Sequence, residues 1–349
     1  NHNIRLREFA LKQGFSLNEH GIKQLDKIQK SRPKADLSQR PISPWMKPMA
    51  EKVKIQEFET EEAFYKFLGL SWIPPELRED SGEIEAAMRH KLPQLVEVKD
   101  IKGDLHLHSN FDLKPSHDLG TSTLEELLDK ASYLGYEYIG ISDHNPKITD
   151  QTENKIIDIM KRRKEHFEQI YTSWKKREKK RIQYFNMLEV DIDPQGNLSL
   201  PEKAFDYVDA VIISVHSSFS LNIEIATGRI LSALSHPKAK IWGHPTTRML
   251  GKREGIDVRW EEIFEFCISK SKALEINSWP ERLDLPDILV REAVKQDAKL
   301  VINTDSHAVE QMTGIKYGVD VARRGWAEKK DILNTMGYNE FSKWLRGGE

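Results

Sequence analysis

The chain has 349 residues, of which 38% are apolar and 31% are charged, and its formal net charge is −2 at pH 7. This length accommodates one large domain together with a smaller one, and the composition is that of a globular protein rather than a disordered one. The longest apolar run is AVIISV at 210–215. It is far shorter than the ~18 residues of a membrane span, so no such span is expected.

The start of the chain and its cysteine content bear on compartment and metal chemistry. The first thirty residues are charged throughout and lack the apolar stretch of a secretory signal, which favours a cytoplasmic location. The chain begins at Asn1 rather than Met, which suggests a processed or truncated chain. Cys267 is the single cysteine, so an internal disulfide is excluded and any metal ion must be held by His, Asp and Glu.

Charge is distributed unevenly along the chain. Residues 1–54 carry twelve Lys and Arg against five Asp and Glu, a local charge of +7, which leaves about −9 for the remainder. A basic end of this kind either faces a polyanion such as DNA or is solvated surface, and charge alone does not decide between the two.

The first 95 residues are predicted to form short helices and loops. The proline-rich stretch 31–48 is predicted to be a loop or an inserted linker. Thr60 is placed to cap a helix with Phe64, Phe67 and Leu68 on its apolar face. The stretch SWIPPELRED then interrupts regular structure before GEIEAAMRHKL resumes as helix.

From about residue 96 the pattern changes to short β-rich runs separated by helical stretches. This alternation predicts parallel βα units. Seven units in succession favour a closed or nearly closed barrel; an open doubly wound sheet is the alternative, but the sequence has no glycine-rich phosphate loop. The predicted strands are 101–108, 136–143, 184–191, 207–216, 239–244, 271–277 and 298–304.

A long charged segment at 161–181 lies between the second and third predicted strands. Its sequence, KRRKEHFEQIYTSWKKREKKR, predicts a long helix. Most of this helix is expected to be a solvated outer face, and a contact with DNA is the less favoured alternative.

Histidine and acidic residues fall at the ends of the predicted strands. Six of the twelve histidines occupy such positions. Parallel βα barrels build their active sites at the carboxyl ends of their strands, so these side chains are expected to meet at one face. In chain order they are His106, His108, Asp143, His144, Glu189, His216, His244, Glu275, Asn277, Asp305 and His307.

Each of these features has a plain structural explanation when taken alone. Two histidines on one strand face can be surface neighbours, His244 before Pro245 can be a turn residue, and Glu189 can be a rim charge. Their joint burial without a cation would be prohibitive, because buried charges need partners. Imidazole and carboxylate ligands suit Zn²⁺, Mn²⁺ or Fe²⁺, and a bridging carboxylate can hold two ions about 3.5–4 Å apart.

Nucleophilic catalysis by a side chain has no support in the sequence. No G-x-S-x-G motif occurs, and Cys267 lies inside the helical pattern WEEIFEFCISKSK. Water activated by metal ions is therefore the expected nucleophile.

Seven motifs in order resemble those of the PHP (polymerase and histidinol phosphatase) domain: GDLHLHSN, GISDHNP, MLEVDI, SVHSSF, GHPTTR, LEINSWPERLD and VINTDSHAVEQM. The stretches SWPERLDL, YGVDVARRGW and ILNT are similar to the PHP domain at the C-terminus of bacterial and archaeal family X DNA polymerases. HNIRLREFALKQGFSLNEHGI and FLGLSWIPPELREDSGEIEAA resemble the thumb end of the same polymerases. The resemblance implies an α/β fold, with a distorted seven-stranded (β/α)7 barrel at 96–349. A small, mainly helical thumb-like segment and linker at 1–95 would precede it.

The same resemblance implies a site for three divalent ions, Mn²⁺ and/or Zn²⁺ with Fe as a further option. The first set of ligands would be His106, His108, Glu189 and Asp305, the second Glu189, His216 and His244, and the third His144, His307 and one residue of the loop after the first strand. The loop here is longer than is usual in the family. Counting back from the helix start at Leu124 favours Asp118, and His117 and Asp112 remain alternatives.

Chemistry at such a site would follow from the ions and a few side chains. A hydroxide bridging two ions would attack phosphorus in line, and the third ion would stabilise the departing oxygen. Glu189, Asp305 and His307 are the ligands expected to matter most for catalysis. Arg248 and Arg282 each follow a strand end by a few residues and are candidate clamps on the phosphate oxygens, with structural ion pairs as the alternative.

In family X polymerases the PHP domain is associated with Mn²⁺-dependent 3′–5′ exonuclease activity. The resemblance thus implies a metal-dependent phosphodiesterase acting on DNA 3′ ends or gapped DNA in repair. The alternatives are a phosphomonoesterase of the histidinol-phosphatase kind and a DNA-binding appendage without activity. The fingers and palm of these polymerases have no counterpart here, so DNA synthesis is not expected from this chain alone. An upstream polymerase portion is a candidate partner, and the chain is expected to be a monomer.

Overall fold

The structure is a computed structural model that describes residues 1–18, 21–25, 55–149, 151–178 and 182–347. The chain divides into two compact units, Asn1–Leu92 and Pro93–Glu349, close to the domain boundary predicted after residue 95. The predicted linker at 31–48, like most of the basic region 1–54, lies outside the described residues.

The described residues of the first unit form three α-helices, a short 3-10 helix at Pro75–Leu77 and a small antiparallel sheet. Helix α2 begins after Thr60, whose hydroxyl accepts a hydrogen bond from Ala63 N at 3.2 Å, as the sequence predicts. The sheet was not predicted, because its strands are too short to show a clear alternation. The elements are α1 His2–Lys12, β1 Phe15–Asn18, β2 Gly21–Gln24, β3 Ile55–Gln56, α2 Glu61–Phe67 and α3 Glu83–Met88, with sheet order β1-β2-β3.

One buried polar contact ties the helices of this unit together. The His2 ring lies on α1 and is hydrogen bonded on one side to Glu83 of α3, at 2.6 Å, and on the other to the Tyr65 hydroxyl of α2, at 3.0 Å. The Glu83 carboxylate also accepts from the backbone N–H groups of Asp80 and Ser81. These buried polar groups are therefore satisfied within the unit.

The second unit is built from seven parallel strands, and all seven predicted strands are confirmed. Their bounds are β4 Gly103–Leu107, β5 Tyr138–Ile141, β6 Gln183–Asp191, β7 Ala210–Ser214, β8 Ala239–Trp242, β9 Ala273–Asn277 and β10 Lys299–Asn303. They pair in sequence order from β4 to β10. The helices of this unit are α4 Leu124–Leu134, α5 Glu153–Arg177, α6 Ile223–Leu234, α7 Trp260–Ser269, α8 Asp287–Lys295, α9 Ile315–Arg324 and α10 Tyr338–Arg346.

Local sequence explains where these helices begin and end, as α4 illustrates. Thr123 and Glu126 form a reciprocal capping box at its start, and Gly135 ends it in the left-handed conformation. Its buried residues, Leu124, Leu127, Leu128 and Ala131, recur at helical spacing and face the barrel.

Side-chain amides bring the first and last strands together and nearly close the barrel. Asn303 Oδ1 accepts from Leu105 N at 3.0 Å, and His108 N donates to Ser306 O at 2.8 Å. Asn334 is fully buried between the two strands: its Nδ2 donates to Gly103 O at 2.8 Å and to Ile302 O at 2.6 Å, and its Oδ1 accepts from Ile302 N at 3.0 Å. The Asn334 amide thus connects β4 and β10 in place of direct backbone hydrogen bonds between the two strands.

The inner face of the barrel changes from apolar to polar along the strands. Phe185 and Met187 of β6 belong to the inner apolar cluster, and the next residue on that face is Glu189. Phe341 and Leu345 of α10 complete this cluster at the end of the barrel where the strands begin. The apolar layer leaves the carboxyl ends of the strands for polar groups.

The long charged helix is confirmed as α5, with one departure from the expected solvated face. Arg163 is fully buried and its guanidinium pairs with Asp143 at 2.7 Å. Asp143, which follows β5, therefore has a structural partner. Among the described residues, no helix is both long enough and apolar enough to cross a membrane.

Replacing Asn334 by alanine should destabilise the barrel. The change strands two buried carbonyl groups and one N–H group, so we expect the free energy of unfolding to fall by about 3 kcal/mol. Urea denaturation would measure this. The control, Asn339→Ala, removes an exposed side chain of α10 and should change the value by no more than about 0.5 kcal/mol. Equal midpoints for the two variants would contradict the role given to Asn334.

Candidate metal centre

Glu189, at the carboxyl end of β6, lies in the middle of a group of histidines. Its Oε2 is 3.0 Å from His144 Nδ1 and 3.2 Å from His106 Nε2. Its Oε1 is 2.8 Å from His244 Nε2 and 3.4 Å from His216 Nε2. A single buried carboxylate therefore presents one oxygen to each of two neighbouring pairs of imidazoles, as a carboxylate that bridges two cations does.

The first predicted ligand set is assembled at the buried end of the site. Asp305 Oδ1 lies 3.5 Å from His106 Nε2 and 3.3 Å from His108 Nε2. One ligand atom from each of His106, His108, Glu189 and Asp305 lies within 4.8 Å of the others. All four residues are buried.

The second set lies on the other oxygen of Glu189. His216 and His244 approach it from the ends of β7 and β8. His216 Nδ1 is 2.6 Å from Asp191 Oδ1, and the same oxygen is 3.0 Å from His117 Nε2. Asp191 thus orients His216 and connects it with the loop after β4.

The third set depends on that loop. Asp118 Oδ1 is 3.5 Å from His144 Nε2 and its Oδ2 is 3.4 Å from His307 Nε2, so the carboxylate lies between the two predicted imidazole ligands. The Asp112 carboxylate is exposed and accepts from Lys114 N. Asp118 is the member of the three candidates that contacts both histidines, while His117 lies beside Asp191 and His216.

Contacts with distant parts of the chain hold the loop in place. Thr121 N donates to His307 O at 2.7 Å, and Ser116 N donates to Asn145 O at 2.8 Å. Gly120 packs so closely on the strand that a Cβ there would lie 2.1 Å from His108 O. A glycine is therefore required where the loop crosses the end of β4, two residues after Asp118.

A second layer of acidic residues orients the histidines. His106 Nδ1 is 2.8 Å from Glu275 Oε1, and Glu275 also accepts from His244 N at 2.7 Å and Asn303 Nδ2 at 2.9 Å. A ring whose Nδ1 donates to a carboxylate leaves Nε2 as a neutral acceptor, which is the form that binds a metal ion. Glu275 and Asp191 play this part for His106 and His216.

Several buried polar atoms of the site make no well-aligned hydrogen bond within the described part of the chain, although some of them lie within 3.2 Å of one another. They are His106 Nε2, both ring nitrogens of His108, His144 Nδ1, Glu189 Oε2, His244 Nδ1 and His307 Nε2. Buried polar atoms are almost always satisfied in folded proteins, so a converging group of orphan atoms points to a bound partner. Imidazole nitrogens and carboxylate oxygens are suitable ligands for divalent transition metal ions, and the residues fit such ions.

Electrostatics in the metal-free protein follow from the same contacts. Burial alone would raise the pKa of Glu189, but the His144, His106 and His216 imidazoles hold that pKa well below its usual range. Burial opposes a charge on His144, yet Glu189 and Asp118 outweigh it and raise the pKa of His144 to about 10. The balance of burial against Glu189 and Asp191 raises the pKa of His216 to about 8. Burial lowers the pKa of His108 to about 3, against the pull of Asp305.

The two predicted arginine clamps differ in position. Arg282 lines the site cavity, and its Nε is 3.6 Å from Asp305 Oδ2. The Arg248 guanidinium donates to the backbone carbonyls of Arg282 and Leu283, so it supports the loop that carries Arg282. The cavity has a volume of about 400 Å³, and Trp279, Met249 and Gln311 line it together with the candidate ligands.

Sequence reasoning left Asp191 and Trp279 unassigned. Asp191 is two residues from Glu189 on β6, and the period of a strand places both on one face, which is a signal the sequence contains. Trp279 follows β9 directly, but no local pattern distinguishes a cavity wall from a turn at that position.

Two family models match the sequence, one in each unit. Residues 1–79 match the DNA polymerase beta thumb, and residues 104–279, half of the chain, match the PHP domain. The chain belongs to the PHP domain family, and the resemblance stated from its motifs is confirmed.

The relatives that the chain matches include one polymerase and several proteins named as probable phosphatases. The chain is 31% identical over 345 residues to the DNA polymerase/3′-5′ exonuclease PolX of Bacillus subtilis, covering 99% of this chain and 54% of that protein. It therefore spans about half the length of this relative. A protein of Thermoanaerobacter sp. named as a probable phosphatase is 24% identical over 242 residues, covering 66% of this chain and 89% of that protein. A solved structure from Listeria monocytogenes, described as a candidate histidinol phosphatase, has a TM-score of 0.44 and 16% identity, covering 60% of this chain and 97% of that one.

Metal-free protein should lose stability as the pH rises from 6.5 to 9. His216 and His144 have pKa values of about 8 and about 10, above the ~6.5 of an unfolded chain. Their contribution is complete below pH ~6.5 and disappears as the pH rises through those values. Metal ions bind neutral imidazole, so Mn²⁺ should stabilise the protein more strongly at the higher pH. Thermal melts with chelator and with Mn²⁺ would measure both slopes.

Two variants test whether His216 contributes to this pH dependence of stability. His216→Gln should flatten the slope measured in chelator, whereas His166→Gln, on the exposed face of α5, should leave it unchanged. A metal-free protein that is equally stable at pH 6.5 and pH 9 would contradict the assignment.

Proposed function

We propose that this chain is a metal-dependent phosphodiesterase that removes nucleotides from the 3′ ends of DNA. The observation that carries the proposal is the Glu189 carboxylate shared between two pairs of imidazoles, in a cavity that also holds Asp118, Asp305 and Arg282. Such a cluster suits three divalent ions, Mn²⁺ or Zn²⁺ among them. The thumb match over residues 1–79 and the similarity to a polymerase with a 3′-5′ exonuclease support DNA as the substrate.

The cluster defines the chemistry of the proposed reaction. Divalent ions held by these ligands supply an activated water and compensate the negative charge that develops on a phosphate during hydrolysis. Glu189 and Asp305 hold their oxygens between the histidine rings, and Glu275 and Asp191 fix the tautomers of His106 and His216. The protein's own contribution is therefore mainly positioning and charge.

Arg282 is the proposed clamp on a non-bridging phosphate oxygen. Its guanidinium lines the cavity beside Asp305, and the two hydrogen bonds from Arg248 to the backbone at Arg282 and Leu283 hold the loop. A planar guanidinium offers paired donors to phosphate oxygens. Asp118 and His307 lie at the open side of the cavity, where the Asp118 side chain is 75% exposed, and they mark the side by which a polymer end enters.

A phosphomonoesterase is the second candidate function. The match with the relative named as a probable phosphatase covers 89% of that protein. The same ligand set would serve both reactions. A chain that hydrolyses histidinol phosphate but leaves single-stranded and gapped DNA intact would favour this candidate. A chain that binds DNA but hydrolyses none of the three substrates would instead favour a DNA-binding appendage.

Asp305→Asn should lower 3′-end hydrolysis by at least about a hundredfold, because it removes a charged ligand from the buried part of the site. Asp305 has a φ of 55°, a conformation that asparagine tolerates, so the variant should fold. Asp297→Asn is a matched control, since Asp297 has a φ of 63° but is exposed and is not among the residues that line the cavity. Release of labelled nucleotides with Mn²⁺, and with excess chelator, is the measurement.

Robust hydrolysis by the Asp305→Asn variant, or by the wild-type chain in excess chelator, would sink the proposed mechanism. Loss of activity in the Asp297→Asn control would show that replacing aspartate by asparagine at a position with positive φ impairs folding, whatever its place relative to the cavity.

Asp118→Ala should reduce the number of bound metal ions by one per chain, because the carboxylate lies between His144 and His307. Asp112→Ala, in the same loop, should bind as many ions as the wild-type chain. Elemental analysis after dialysis, with melting temperatures as a check on folding, distinguishes the two. Loss of an ion in the Asp112 variant instead would show that the loop ligand is assigned wrongly.

A further inference from the structure

A second cavity adjoins the candidate metal centre. It has a volume of about 290 Å³, close to the lower end of the roughly 300–1,000 Å³ range of small-molecule sites. Trp279 and Gln311 line both this cavity and the metal-site cavity, so the two share a wall. Ser278 and Tyr317 are among the other residues that line it.

We propose that this cavity, here called the aromatic cleft, binds the nucleobase of the 3′-terminal nucleotide while its phosphodiester lies at the metal centre. The inference rests on the proposed function and names the part of the substrate that the cleft recognises. Its walls include two aromatic side chains, Trp279 and Tyr317, and Tyr317 is 41% exposed. Partly exposed aromatic side chains beside a phosphate site are stacking platforms for the bases of single-stranded nucleic acids.

One polar group in the cleft has capacity left for a ligand. The Ser278 hydroxyl does not, because Ser278 is 1% exposed and its oxygen packs against Gly318 of α9, where an added Cβ would lie 2.2 Å from it. Gln311 uses its Oε1 to accept from His307 N and Ala308 N, which leaves its Nε2 as a donor at the shared wall. A mainly apolar cleft with a few fixed polar groups is the usual construction of a site for a small planar ligand.

The backbone links the cleft to the metal ligands. Trp279 N donates to Asn277 Oδ1 at 3.0 Å, and Asn277 Nδ2 donates to Asp305 Oδ2 at 3.0 Å. The Trp279 carbonyl in turn accepts from Arg282 N at 2.8 Å and Leu283 N at 2.9 Å. Asn277 and Trp279 therefore set the distance between the proposed base platform, a metal ligand and the phosphate clamp.

The test compares two oligonucleotides that differ only in the 3′-terminal residue, which either carries adenine or is abasic. With Mn²⁺, the wild-type chain should cleave the adenine end with a kcat/KM about tenfold higher, the size expected for stacking of one base. Trp279→Ala should reduce this ratio to near one, chiefly through KM, and Trp279→Phe should keep most of it. Tyr133→Ala, which removes an exposed aromatic ring of α4, should leave the ratio unchanged.

A binding measurement keeps the inference separate from the proposed function. Isothermal titration should give about tenfold tighter binding of deoxyadenosine 5′-monophosphate than of deoxyribose 5-phosphate to the wild-type chain, and no difference for Trp279→Ala. Equal binding of the two phosphates by the wild-type chain, or a ratio that Trp279→Ala does not change, overturns the cleft assignment. If the proposed function is wrong, the result is different: both oligonucleotides remain intact in the cleavage assay, while the titration still shows the difference in binding between the two phosphates.

Discussion

The buried carboxylate of Glu189 is the constraint on which the rest of the site depends. It lies at the end of β6, is 1% exposed, and contacts four imidazoles. A carboxylate buried this deeply without cations would cost several kcal/mol, so positive charge must surround it. In the metal-free protein protonated histidines provide that charge, as the raised pKa values of His144 and His216 indicate. Metal ions bound at this cluster would replace those protons and leave the imidazoles neutral, so proton release and metal binding would be coupled.

The barrel satisfies this constraint by separating two kinds of interior. Toward the start of the strands the inner face is apolar and is completed by α10, whereas at the carboxyl ends it carries Glu189, Glu275 and Asn303. Asn334 and Asn303 join β4 to β10, so His106 and His108 are brought beside Asp305 at the nearly closed seam. The same hydrogen bonds that stabilise the fold thereby set the distances within the first ligand set.

Much of the site was predictable because parallel strands end on one face. The positions of His106, His108, Glu189 and Asp305 follow from strand periodicity and order alone. The position of Asp118, the candidate loop ligand, does not follow from them, because contacts of Gly120 and Thr121 with residues far along the chain place it. Spacing likewise could not separate Arg282 from Arg248, whose guanidinium turns back to the backbone. No local sequence pattern predicts the aromatic cleft, because its walls come from the turn after β9 and from the start of α9.

The most direct measurement of the central claim is anomalous X-ray scattering from crystals of the full chain grown with Mn²⁺. We expect metal peaks on both sides of the Glu189 carboxylate, one among His106, His108 and Asp305 and one beside His216 and His244, with a further peak between His144, His307 and Asp118. Absence of anomalous density around Glu189 at saturating Mn²⁺, with its carboxylate still paired to protonated histidines, would contradict it.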